Sequence, residues 1–311
     1  MLSRTALNLY WTGRYIERAE FTARLLEATI RLDSLSPRPA GVNAWSSALA
    51  VAAAEYGFEE AGEPLTPSNV ARYLTLADEN GSSIRSCLRN ARTNARAVRT
   101  ALSRDAWETI NRAWTGVRDR ASPGGTQATL NLIDLVKAET RGFEGALHRM
   151  LHNESSWFIR LGAAIERADN TARLLDVKYH LLLPDDAEVG GAVDRDQWTT
   201  ILHTVSAVTA YRWLYREGLQ PWLVAEMLIL RSELPRSLAA SMEEVVTVLT
   251  ALGRRSGKQG EADRMARARL TKLKQCRIEP LFQRGLHEYL QDFLADVPAL
   301  DFAIAQQFRF A

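Results

Sequence analysis

Eleven residues, I-E-R-A-E-F-T-A-R-L-L, run from Ile16 to Leu26 and return as I-E-R-A-D-N-T-A-R-L-L from Ile165 to Leu175. Only Glu20/Asp169 and Phe21/Asn170 differ, and the match widens to Gly13/Gly162 ahead of the word and Glu27/Asp176 behind it. A word this long recurring at half the chain length marks a tandem duplication. The second half keeps the order beyond the word. Trp45 and Leu49 resemble Trp198 and Leu202, and Arg72 to Ile84 follows the same pattern as Glu226 to Leu238. The spacing drifts only from 149 (Ile16 to Ile165) to 154 (Arg72 to Glu226). Two copies are therefore expected, residues 1–150 and 151–311, related by a pseudo-two-fold axis and packed as one unit. No Pro/Ser/Gly linker divides them, and an amphipathic pattern runs through the boundary from Leu147 to Ser156.

Apolar residues recur with helical period throughout, and strand alternation is absent. The predicted class is all-α, a bundle of two tandem helical repeats. Helices are expected over Arg4–Asp33, Ala44–Tyr56, Pro67–Ala77, Ser83–Leu102, Asp105–Ala121 and Thr126–His152. A second set covers Ser155–Leu183, Gln197–Arg216, Pro221–Arg231, Pro235–Leu252, Glu261–Cys276 and Glu279–Phe308. Breaks fall where Pro and Gly gather: 36–39, 57–67, 122–125, 184–191 and 253–260. The last, G-R-R-S-G-K-Q-G, reads as a mobile basic loop.

The charge balance of +2 over 311 residues argues against a general nucleic-acid binder. Two cysteines, Cys87 and Cys276, make no disulfide framework and fit a reducing cytoplasm. Charges at Arg4, Arg14, Glu17 and Arg18 leave no place for a signal peptide. No uncharged apolar run reaches the roughly 18–20 residues of a membrane span. A P-loop, a G-x-G-x-x-G turn and a G-x-S-x-G elbow are all missing, which counts against a self-sufficient ATPase, dehydrogenase or serine hydrolase. A soluble cytoplasmic protein without a cofactor is expected.

On a helix, Glu17, Glu20, Arg24, Glu27 and Arg31 share an arc of roughly 80°. Glu166, Asp169, Arg173, Asp176 and His180 do the same in the second copy. Acid precedes base by four residues in each pair, as on many solvated helices. Ala19, Ala23, Ala168 and Ala172 beside the stripe would admit a close neighbour, and a covered charged stripe needs partners. The stripe is therefore either solvated or a polar seam between the copies, bringing Glu17 towards Glu166. A ferritin-type metal site is disfavoured, because arginine fills the neighbouring turn.

Arg85, Arg89, Arg92, Arg96 and Arg99 form a ridge that the second copy lacks. It is either solvated, paired with acids of the first helix, or a seat for carboxylates or phosphates. Glu144, His148 and His152 are spaced four apart but lack the H-E-x-x-H order of a zinc protease. Cys87, among apolar neighbours, reads as core, and so do Tyr10, Trp11 and Tyr15.

The opening L-S-R-T-A-L-N-L-Y-W-T-G-R-Y-I-E-R-A-E-F-T-A-R-L-L resembles the bacterial alpha-E domain family. So do N-A-R-A-V-R (Asn94 to Arg99), I-E-R-A-D-N-T-A-R-L-L-D-V-K-Y-H-L-L-L-P and G-L-H-E-Y-L. The likeness spans nearly the whole chain, except that Phe21 stands where the motif usually carries Asn, kept as Asn170. The resemblance implies an all-helical protein encoded beside circularly permuted ATP-grasp and transglutaminase-like proteins, in a setting of peptide or amino-acid ligation. Glu17, Arg18, Arg24, Glu166, Arg167 and Arg173 are the positions it points to. The leading expectation is a non-enzymatic partner of an ATP-grasp ligase or its peptide substrate. It would bind through Arg14, Glu17, Arg18, Glu20, Arg24, Glu166, Arg167, Asp169, Asn170 and Arg173, with Arg85, Arg89, Arg92 and Arg96. The alternatives are an enzyme acting on peptide or amide bonds with Glu17 and Glu166 as acid and base, and a purely structural scaffold.

Overall fold

Two long helices carry the repeated words, and the rest of the chain is arranged around them. In the computed structural model, which describes residues 1–35, 44–122, 124–181, 192–257 and 259–310, these are α1 (Ser3–Leu35) and α8 (Glu154–Leu181). Between them come α2 (Ala44–Val51), α3 (Glu55–Glu60), α4 (Pro67–Thr75), α5 (Ile84–Ala97), α6 (Arg104–Arg118) and α7 (Thr126–His148). After α8 follow α9 (Ala192–Thr204), α10 (Val208–Leu214), α11 (Pro221–Leu230), α12 (Leu238–Ser256), α13 (Glu261–Gln275), α14 (Ile278–Arg284) and α15 (Leu286–Phe308). The described residues contain no strand.

Local chemistry sets many of the boundaries. Side chains of Thr66, Ser83, Ser103 and Ser237 accept the free backbone N–H groups at the starts of α4, α5, α6 and α12. Pro67 and Pro221 open α4 and α11, where their missing N–H costs nothing. The pattern through Leu147–Ser156, expected to run on as helix, is interrupted. Asn153 Oδ1 accepts from the Ser155 and Ser156 N–H groups (3.0 and 3.3 Å), while Ser156 Oγ accepts from Asn153 N–H (3.2 Å). That reciprocal cap starts α8 afresh.

Two helices expected as continuous are broken at matching places. Ala53 (φ 51°) ends α2 and Ser206 (φ 58°) ends α9. In each, the next N–H reaches back five residues, Ala54 to Leu49 O (2.9 Å) and Ala207 to Leu202 O (2.7 Å). This is a left-handed helix ending that usually takes glycine, so composition did not reveal it. Gly285 (φ 111°) likewise separates α14 from α15. Arg254 and Arg255, assigned to a mobile loop, lie in the last turn of α12, which closes on left-handed Gly257. The expected breaks at 36–39 and 184–191 lie outside the described residues.

At the centre α1 packs along α8. A Cβ on Gly13 would stand 2.0 Å from Ile159 O, and one on Gly162 would stand 2.0 Å from Tyr10 O. Glycine alone permits this backbone approach. The contacts advance together on both helices, from Tyr10/Gly162 to Arg18/Glu166, so the two run in the same direction. α5 and α7 cover α1 with α6 lying against both; α12 and α15 cover α8 with α13 lying against both. α9 lies mainly on α1, and α2 touches both long helices. One continuous apolar core results, including Leu9, Leu26, Leu88, Ile133, Ile159, Leu175, Val245 and Phe293. No helix of the described residues is long and apolar enough to cross a membrane.

Candidate functional site

The dipeptide Glu-Arg occurs in this chain at 17–18 and 166–167 and nowhere else. The parallel packing of α1 on α8 cross-connects these two words. Arg18 Nε donates to Glu166 Oε1 (2.6 Å) and its Nη2 to Oε2 (3.1 Å). In return, Arg167 Nη2 and Nε donate to Glu17 Oε2 (2.7 and 3.2 Å). Each arginine thus serves the glutamate of the other word.

Each glutamate has a second guanidinium from a different source. Glu166 receives Arg14 Nε, one turn before Arg18 on α1 (2.8 Å). Glu17 receives Arg236 Nη1, from the turn just before α12. Arg236 also reaches Glu20 (3.2 Å), and its backbone carbonyl accepts from Thr171 Oγ1 (2.9 Å). In the matched segments 72–84 and 226–238, Arg236 falls opposite Ser82, whose hydroxyl accepts from Arg18 Nη1 (3.1 Å). Arg14 follows Gly13, whereas Ala163 follows the matching Gly162. The two-guanidinium arrangement is kept although the supplying position is not.

The carboxylates are 4% and 1% exposed at Glu17 and Glu166. Burial pushes the Glu17 carboxyl up, but Arg167 and Arg236 more than reverse this and hold it at about 2. At Glu166 burial likewise raises the value, and Arg18 with Arg14 brings it below the ordinary range. Both stay ionised near neutrality, each between cations. Neither shares a proton with the other, as closely paired carboxylates would.

The network continues at both ends. Arg14 Nη1 donates to Asp301 of α15 (2.7 Å), which also accepts from the buried Tyr10 hydroxyl. The Arg14 guanidinium stacks on Tyr10 and Trp11, with ring centroids at 5.9 and 5.1 Å. Arg24 pairs with Glu20 (2.6 Å) and donates to Ser206 Oγ at the break after α9. Tyr10, Ser82, Ser206, Arg236 and Asp301 were missed by the sequence reading. Only Arg236 left a trace there, as an arginine facing serine in the loosely matched segments 72–84 and 226–238.

Other expected site residues fall elsewhere. Asp169 and Arg173 pair with each other on α8 (2.8 Å), apart from Glu166. Asn170 is buried, and its amide nitrogen has no hydrogen-bond partner among the described residues; the equivalent Phe21 is buried core. The expected Glu27/Arg31 pair is replaced by Glu27 with Lys137 of α7 (2.7 Å), and Asp176 takes His287 and Gln291 of α15 (both 2.6 Å). The arginine ridge is answered locally, by neither the seam nor the acids of α1. Arg85 and Arg89 share Asp78 (3.0 and 2.7 Å), while Arg92 donates to Asn111 (2.8 Å). Arg92 and Arg99 lie over Trp107, and Arg96 is exposed. His148 Nδ1 lies 3.0 Å from the backbone carbonyl of Glu144. Cys87 is fully buried and its thiol is pushed up to about 12, the behaviour of core rather than of a nucleophile. Among the described residues, no three His, Cys, Asp or Glu side chains are grouped to hold a metal ion.

An all-helical fold built around two Glu-Arg words defines a class. The sequence model of the Alpha-E family, described as a predicted alpha-helical domain with a conserved ER motif, matches residues 1–308, and the chain belongs to that family. No curated protein and no solved structure matches it.

Proposed function

We propose that this protein is a non-catalytic helical partner in an ATP-grasp type peptide or amino-acid ligation system, and that its Glu-Arg words form an interlock shaping the surface a partner reads. The observation that carries this reading is the reciprocal pairing of the words. Four guanidinium groups enclose two buried carboxylates, so the seam's charges are met within the chain. A catalytic acid would need a carboxyl raised towards neutrality, and here the paired arginines outweigh burial and give the opposite sign. On the ridge Arg96 is exposed, and so is Arg89 although it is paired with Asp78, so both can face an acidic partner surface.

The same reading includes a pseudo-two-fold relation between the halves. It is supported by the matching order of α1–α7 with α8–α13 and α15, by the reciprocal approaches of Gly13 and Gly162, and by the matching breaks at Ala53 and Ser206.

The test is co-purification with the ATP-grasp protein of the same genome, followed by ligase assay with and without this chain. The expected outcome is a stable complex that Arg89→Glu with Arg96→Glu weakens while melting is unchanged. Absence of any complex removes the proposal. Ligation or hydrolysis by the isolated chain, lost with Glu17→Gln in a variant shown to be folded, would favour the enzyme instead. A complex that forms but leaves ligase activity unaltered would leave a scaffold.

A further inference from the structure

Between α12, α13 and α15 lies a cleft of about 170 Å³ that shares no residue with the seam. Its walls are apolar: Met242, Met265, Phe293, Val297 and Leu300. Its remaining polar lining is Arg269, Lys272 and Asp296. Two thioethers make an adaptable wall. An aromatic or branched aliphatic group fits the space, since a dry cavity of about 150 Å³ takes up benzene.

Arg269 occupies a position that would ordinarily be core. Its side chain is 10% exposed and lies over the Phe293 ring at 5.2 Å. On the equivalent face of α6, Ile110, Ala113 and Val117 are simply buried. Removing a guanidinium from water is costly unless its donors are met. Here Nη2 has a long contact to Asp292 O (3.4 Å) and an ion pair with Asp296. Nε and Nη1 have no acceptor among the described residues. Asp296 is half exposed and has its Oδ1 free there, and Lys272 is unpaired there as well. The mouth of an apolar cleft therefore carries Arg269 and Asp296 paired with each other through one nitrogen and one oxygen, with Lys272 among the same lining residues.

We propose that this cleft binds the zwitterion of a free apolar α-amino acid. The side chain enters between Met242, Met265 and Phe293. The ligand carboxylate takes Arg269 and Lys272, and its ammonium group takes Asp296. Arginine and carboxylate can meet through parallel hydrogen bonds, giving strength and orientation together. The site is independent of the partner role proposed above.

Calorimetric titration of the full chain with L-leucine, L-phenylalanine, glycine, N-acetyl-L-leucine and L-leucinamide tests this. Leucine and phenylalanine should bind and glycine should not. Each blocked derivative should bind roughly tenfold or more weakly, the size of one lost charge-assisted hydrogen bond. Asp296→Asn, at an exposed position, should remove the preference for leucine over its N-acetyl form. Lys272→Gln should weaken leucine and leave leucinamide unchanged. Met265→Trp should fill the cleft and abolish binding with melting unaltered. The proposal is overturned if leucine gives no binding heat, if N-acetyl-leucine binds as tightly as leucine, or if Asp296→Asn leaves the preference intact.

Discussion

At the scale of single residues, burial sets the worth of each charge. Glu17→Gln would leave Arg167 and Arg236 facing each other without their anion, inside a seam where side chains are 18% and 13% exposed. Breaking a buried pair from one side costs about 3–5 kcal/mol, and urea unfolding should show a loss of that size. The pH dependence has a definite sign. Glu17 is held at about 2 and Glu166 is also depressed, against an ordinary glutamate value of about 4.3. Their contribution is therefore complete above that ordinary value and is lost as pH falls towards 2. Melting temperature should drop steeply over this window, and less steeply in Glu166→Gln, whose baseline is lower. Gly13→Ala tests packing. Its methyl would meet the Ile159 carbonyl, which is backbone and cannot swing aside. A cost of about 3 kcal/mol or failure to fold is expected, read by circular-dichroism melting.

At the scale of elements, the helix endings separate what local pattern encodes from what it hides. Ser83, Ser103 and Ser237 open helices as their side chains predict. The left-handed endings at Ala53 and Ser206 carry no glycine, and there the expected helices Ala44–Tyr56 and Gln197–Arg216 proved to be two apiece. Apolar residues continue with helical period across both breaks, because the following short helix buries its own face. Ala53→Gly should relieve the left-handed strain of about 1–2 kcal/mol, less the added freedom of the unfolded chain. A small net gain, near 0.5 kcal/mol, is the expected result of urea titration. The stripe on α1 and α8 was legible as two alternatives, wet or covered. Helical spacing gave each charge an angle around its own axis, and an angle does not name the neighbour.

At the scale of the whole molecule, the interlock joins parts far apart in the chain. Arg236 is 219 residues from Glu17, and Arg18 is 148 from Glu166. The trade of Arg14 and Ser82 against Ala163 and Arg236 makes a test. Arg14→Ala alone should destabilise by about 3 kcal/mol or more, since it leaves Asp301 and part of Glu166 unmatched. Adding Ser82→Arg, which copies the second-half arrangement, should restore much of that loss, measured by urea unfolding of the single and double variants. Separate expression of 1–153 and 154–311 should give insoluble halves, each exposing a face of α1 or α8. Co-expression should recover a soluble complex.

The helical class, the repeated word and the family follow from sequence because they rest on local information: period, capping residues and a motif written twice in one chain. Folding supplied the partner of each charge. Whether Glu17 meets water, Glu166 or Arg167 depends on which helix covers it and in which direction that helix runs. The glycine approach between α1 and α8 decides both, and the arginines it brings onto two buried glutamates outweigh the burial and keep both ionised.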